Sequence, residues 1–128
     1  MVSNVYKNYA EAVKLQRRTL PSKTVIARVA GVSFEGRQEL LAQMSELTGV
    51  KLERERRNVH DPYAVRVLAD FGGIWRHVGY IPGKMSAKIA RLLDNGVALT
   101  VAVHRVTGGF FRGGEQAHYG LEISLKEV

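Results

Sequence analysis

The chain has 128 residues, no cysteine and a formal net charge of +7, with 45% of its residues hydrophobic. That is one domain's worth of material with a real core; no run approaches the ~18 to 20 apolar residues of a membrane span, and no apolar signal-peptide core opens the chain. Without a disulfide framework the expected setting is cytoplasmic, and the positive charge is best rewarded by a phosphate backbone, with anionic membranes and acidic proteins as the other classes it attracts.

Ser3 is placed to cap a helix running to about Arg18, ended by Pro21, with Lys7, Lys14, Arg17 and Arg18 along one side. The β-branched density from Thr24 to Val32 predicts a buried strand interrupted at Gly31. From Arg37 to Thr48 the spacing of Leu40, Met44 and Leu47 predicts a helix capped by Gly49. Val50 and Leu52 then alternate with Lys51 and Glu53 as a half-exposed strand, which runs through Arg54-Glu55-Arg56-Arg57 into the turn Asn58-Val59-His60-Asp61-Pro62. Pro62 biases Asp61 away from the helical region, so the carboxylate sits on extended backbone. A strand from Tyr63 to Ala69, glycines at 72 and 73 and a strand from Ile74 to Ile81 form a hairpin. A second helix spans about Met85 to Asp94, with Met85, Ile89, Leu92 and Leu93 inward and Asn95-Gly96 closing it. Two alternating strands follow, 97 to 103 and 119 to 125, separated by a glycine-rich loop carrying Phe110 and Phe111.

This order of elements, with short loops and only two helices after the first 22 residues, predicts an α+β domain over 23–128 in which a curved antiparallel or mixed sheet of about six strands closes into a small barrel. Residues 1–22 form a separate helical extension in this reading.

Catalytic signatures are sparse. His60, His77, His104 and His118 lack metal-ligand spacing, and no cofactor or metal is expected. His60-Asp61 is not the helical ligand pair of a metal-dependent phosphohydrolase, because Pro62 prevents an ordinary helix there. Neither a Gly-x-Ser-x-Gly elbow nor a Walker lysine is present, so no enzymatic activity is expected. Aromatic rings beside cations remain. Bases stack on a π-face whatever their identity while cations follow the phosphates, which makes Phe34, His60, Tyr63, Tyr80, Phe110 and Phe111 candidate platforms and Arg54, Arg56, Arg57, Arg76 and Lys84 candidate phosphate contacts.

Taken together, Gly31-Val32-Ser33-Phe34-Glu35-Gly36, the Asn-x-x-Asp-Pro-x-Ala-Val turn from Asn58 to Val65 and Val78-Gly79-Tyr80-Ile81-Pro82 occur in the order that resembles the HIRAN domain, over roughly residues 25 to 126. The resemblance implies an OB-like barrel, closed or nearly so, with two helices, and binding of single-stranded DNA at a free 3′ end. It places Phe34 where a family aromatic stacks on a base, His60 where other members stack a tyrosine, and Asp61 where an acidic residue accepts a hydrogen bond from the 3′ hydroxyl. Ser33 stands where a helicase-linked member can have arginine. Gly83 falls near that member's phosphate-binding lysine, leaving Lys84 one position along. The implied partners are single-stranded DNA or DNA ends, with a helicase or nuclease as a catalytic partner, and no membrane. Two alternatives stay open: a protein-interaction module for an acidic partner, and a small phosphoesterase. Asp61 likewise keeps two roles open, reader of the 3′ hydroxyl or turn residue bonded to its own backbone.

Overall fold

The computed structural model describes residues 24–128; the expected Ser3–Arg18 helix and the extension that carries it lie outside the described residues. The strands are β1 (Val25–Arg28), β2 (Val50–Arg54), β3 (Val65–Phe71), β4 (Ile74–Tyr80), β5 (Leu99–Thr107), β6 (Phe111–Arg112), β7 (Glu115–Gln116) and β8 (Gly120–Glu127), with helices α1 (Arg37–Leu41) and α2 (Gly83–Asp94). They form two three-stranded antiparallel sheets, ordered β1-β8-β5 and β2-β3-β4, while β6 and β7 pair as a small ladder in the loop between β5 and β8. Period-two alternation turns Val65 and Val67 of β3 and Leu121, Ile123 and Leu125 of β8 into one core, which Leu41 of α1 and Ile89 and Leu92 of α2 complete.

A closed barrel does not form. Among the described residues the sheets are joined by one backbone bridge, in which the Ala30 and Tyr80 amides each donate to the other's carbonyl at 2.8 and 2.9 Å. Among the described residues β2 and β5 do not pair. Instead Val50, Lys51 and Leu52 of β2, Leu99 and Val101 of β5 and Leu93 of α2 line a common cleft, so the seam between these edges holds side chains in place of ladder hydrogen bonds. Register shifts between Val67 and Leu68 and between Val103 and Arg105 mark bulges, which bend each sheet without closing it.

Three other expectations change. The first helix stops at Leu41, because the amides of Gln43 and Met44 turn to Leu40 and Leu41 three residues back. Ser45 and Thr48 then draw nearby amides to their hydroxyls (Leu47 N to Ser45 Oγ, 3.1 Å; Ser45 N to Thr48 Oγ1, 2.9 Å), a competition with the helix ladder that leaves Leu47 95% exposed. Tyr63 belongs to the central turn, not to β3. The second helix starts at Gly83, on Pro82 as N-cap, and ends at a left-handed Gly96 as anticipated. The β3–β4 hairpin is the two-residue type expected, with Gly72 and Gly73 both at positive φ.

Where β4 meets the end of β1, Gly79 has no room for a side chain: a Cβ there would run into Val29 Cγ1 and come within 2.6 Å of the Ala30 carbonyl oxygen. Gly79→Ala is therefore expected to cost about 1–3 kcal/mol through overpacking, read as a lower urea midpoint at unchanged m-value. An unaltered midpoint would mean that the bridge between the sheets is loosely held.

Candidate nucleic-acid interface

The turn after β2 is built from side chains bonded to backbone. Asn58 Oδ1 accepts from the amides of His60 (2.8 Å) and Asp61 (2.9 Å), and Asp61 Oδ1 accepts from the Tyr63 amide at 2.8 Å. Proline at 62 has no amide to contribute, so the Asp61 carboxylate reaches the next one. Its other oxygen, Oδ2, accepts from the Ser86 hydroxyl at 3.0 Å, which ties the turn to the first turns of α2. From below, the Arg54 guanidinium donates to the carbonyls of Pro62 (2.9 Å) and Ala64 (3.2 Å) and pairs with Asp94. Arg54 thus holds the turn's backbone through two of its carbonyls.

Phe34 lies on a second turn. Gly31 at φ 72° breaks the first strand, and Glu35 and Gly36 also take positive φ before α1 begins. Arg37, at the start of α1, is only 7% exposed; its Nη1 donates to the Gly31 carbonyl at 2.7 Å and its guanidinium lies 5.7 Å from the centre of the Tyr80 ring. Phe34 itself is 63% exposed. A Cβ at Gly31 would find Arg37 Nη1 at 3.1 Å, Tyr80 Cδ2 at 3.8 Å and Phe34 Cδ2 at 3.9 Å, so both rings gather at this glycine.

Tyr80 joins the two turns. Its hydroxyl donates to Glu55 Oε1 at 2.9 Å, and the same oxygen accepts from Asn58 Nδ2 at 2.6 Å. The Asn58 bond above all, then the Tyr80 bond and the Arg66 charge, holds the Glu55 carboxyl below its ordinary range although burial opposes this. Burial, and after it the Glu55 carboxylate, pushes the Tyr80 hydroxyl upward, which keeps it a donor.

The three stretches singled out in the sequence therefore do converge. Phe34 and Tyr80 meet at Gly31, and the Asn58–Asp61 turn attaches through Glu55. Ser33 and His60 are exposed beside Phe34 and Asp61 in sequence. Lys84 is exposed in the first turn of α2, where it lines a groove with Ile26, Arg28, Ala30, Pro82 and Met85. Arg57 is exposed, with no carboxylate partner among the described residues, whereas Arg56 pairs with Asp94 at 2.8 Å. Tyr63 lies under Arg91, 5.1 Å from ring centre to guanidinium. Phe111, on β6, and Phe110, just before it, are both exposed.

Arg37, Glu55, His77, Ser86 and Arg91 were not among the sequence-derived candidates. Ser86 left a trace, a polar residue on the helix face that otherwise carries Ile89 and Leu93. Arg37 left none, since a cation at a helix start reads as solvated.

This small, mostly β domain with two helices carries a polar surface site where its two sheets meet. A family model for the HIRAN domain matches residues 22–109, and the chain belongs to that family, whose members are DNA-binding modules. The crystal structure of the HIRAN domain of human HLTF is similar in fold, with a TM-score of 0.53 at 16% sequence identity over 80% of this chain and 74% of that one. No curated protein matches the chain. Among the described residues no helix is long and apolar enough to cross a membrane.

His77 bears on how firmly the Phe34 turn is held. Its Nε2 lies 2.8 Å from the Gly79 carbonyl, which can only accept, and its Nδ1 lies 3.3 Å from Arg37 Nη2, which can only donate. The ring is therefore neutral with its proton on Nε2. Burial first, then Arg37 and Arg66, lower its pKa from the ordinary 6.5. The unfolded chain thus takes up this proton before the folded one does, so stability is complete above about pH 6.5 and falls as pH drops towards the lowered folded value. The denaturation midpoint is expected to be lower at pH 5 than at pH 7. In His77→Gln, whose amide can serve both partners without titrating, that difference should shrink; an equal difference in both proteins would place the titration elsewhere.

Proposed function

We propose that this HIRAN domain binds single-stranded DNA and reads its 3′-hydroxyl end, without catalysis of its own. The observation that carries this reading is the Asp61 carboxylate, fixed at Oδ1 by the Tyr63 amide and at Oδ2 by Ser86, on the same network that presents Phe34. A carboxylate repels the phosphates a nonspecific binder seeks, so at a DNA site it is useful where the ligand offers a donor. With two of its roughly four acceptor positions engaged, it has capacity left for a terminal hydroxyl. Phe34 and His60 supply the faces for the terminal base, and Lys84 and Arg57 supply charge for the phosphate behind it. Such a module would serve a helicase or nuclease acting on the same end.

Asp61 plays the turn role as well, so its truncation would disturb the backbone it holds. The decisive measurement uses the parent protein, titrated with one oligonucleotide ending in a 3′ hydroxyl and the same oligonucleotide ending in a 3′ phosphate, with polyglutamate as an acidic-polymer control. The hydroxyl end should bind more tightly, and Asp61→Asn, which keeps an acceptor for the Tyr63 amide, should narrow the gap. Equal affinity for both ends in the parent would exclude end reading, and equal competition by polyglutamate would favour an acidic protein partner.

Phe34→Ala should weaken binding by about 1–3 kcal/mol, the usual worth of one stacked base. Because the ring is mostly exposed, the melting temperature should hardly move. A variant that binds normally but melts well below the parent would show that the ring is there for packing.

A further inference from the structure

Most arginines near the surface are already matched: Arg28, Arg54, Arg56, Arg66 and Arg105 each face a carboxylate. The outer face of α2 is different. Lys84, Lys88 and Arg91 are exposed at positions i, i+4 and i+7, which puts them in one stripe. None has a carboxylate partner among the described residues. The helix's one acid, Asp94, is spent on Arg54 and Arg56. Three uncompensated cations thus follow about 10 Å of helix axis.

The stripe also starts at the site. Ser86 ties the beginning of α2 to Asp61, and further along Arg91 stacks on Tyr63, its Nη2 3.4 Å from the phenolic oxygen, so the helix runs beside the turn that carries the carboxylate. Over the outer face of β2-β3-β4 the charge is already engaged, with Arg66 paired to Glu53 and Glu55 and Lys51 lying over the Trp75 ring, so that face offers less free positive charge to phosphates. We propose that the outer face of α2 carries the DNA backbone away from the terminus, with Lys88 and Arg91 contacting phosphates 5′ of the terminal nucleotide. This rests on the 3′-end reading above and adds the direction in which the strand leaves.

The test is fluorescence anisotropy with 3′-hydroxyl oligothymidylates of increasing length, from a dinucleotide upward, over a range of salt. Parent affinity should rise with the first added nucleotides and then level off. The double variant Lys88→Gln, Arg91→Gln should match the parent on the dinucleotide and gain less from added length. Its log–log salt slope on the longer strands should be smaller by roughly 1.4, at ~0.7 for each phosphate that the variant leaves unneutralised. Lys88→Gln alone should give about half that change, and Arg91→Lys, which keeps the charge, should retain the slope. Lys126→Gln, an exposed cation on β8, controls for net charge and should leave the length dependence as it is. If the double variant binds with the parent's slope and length dependence, or if Lys126→Gln has the same effect, the path over α2 is wrong while the end reading stands. A parent protein that binds no oligonucleotide would overturn both.

Discussion

The interaction on which the rest of the site depends is the pair of hydrogen bonds received by one oxygen of Glu55, from Asn58 at 2.6 Å and from Tyr80 at 2.9 Å. Asn58 can donate to Glu55 only with its amide oxygen turned to the amides of His60 and Asp61, so one carboxylate orients the whole turn. Tyr80 acts at once through its side chain and its backbone. The hydroxyl anchors that turn, while the amide and carbonyl pair with Ala30 and so place the adjacent Gly31, from which the Phe34 turn begins. Without this carboxylate the half-buried Asn58 amide and Tyr80 hydroxyl would lose their shared acceptor, and the two halves of the site would have no common reference.

Charge is distributed according to burial. Where cations lie against the fold they are matched or turned to structural use: Arg54 on carbonyls and Asp94, Arg37 on a carbonyl, a neutral histidine and the exposed Glu35. A buried cation without such partners would be costly, and the neutral form of His77 avoids adding a second charge beside Arg37. Cations left without partners stay in water, where a salt-dependent ligand can use them. The net charge of +7 therefore overstates what is available to a phosphate backbone and does not say where the available part lies.

Much of the architecture was legible in the sequence. Apolar alternation has the same period whether a strand is isolated or paired, so β2, β4, β5 and β8 could be placed from residue order, as could the Gly72-Gly73 hairpin and the Gly96 helix end, where only glycine is relaxed at positive φ. Apolar spacing failed from Gln43 to Thr48, since it cannot register the hydroxyls of Ser45 and Thr48 competing for backbone amides. The β6–β7 ladder was missed because its strands are too short to show a period.

From sequence alone came the family, the three stretches that belong together, and the expectation that aromatics and a carboxylate would stand among cations, because these follow from residue identity and local turn chemistry. Tertiary structure alone decided that the sheets stay unclosed between β2 and β5, because an edge strand carries the same pattern whether or not its outer hydrogen bonds are made. It also decided which cations are spent and which are free: Arg54 and Lys84 are alike as charges in a sequence, yet one lies beneath carbonyls and a carboxylate contributed by distant segments and the other faces solvent. Pairing depends on what the fold brings within about 4 Å, and residue order carries no distance of that kind.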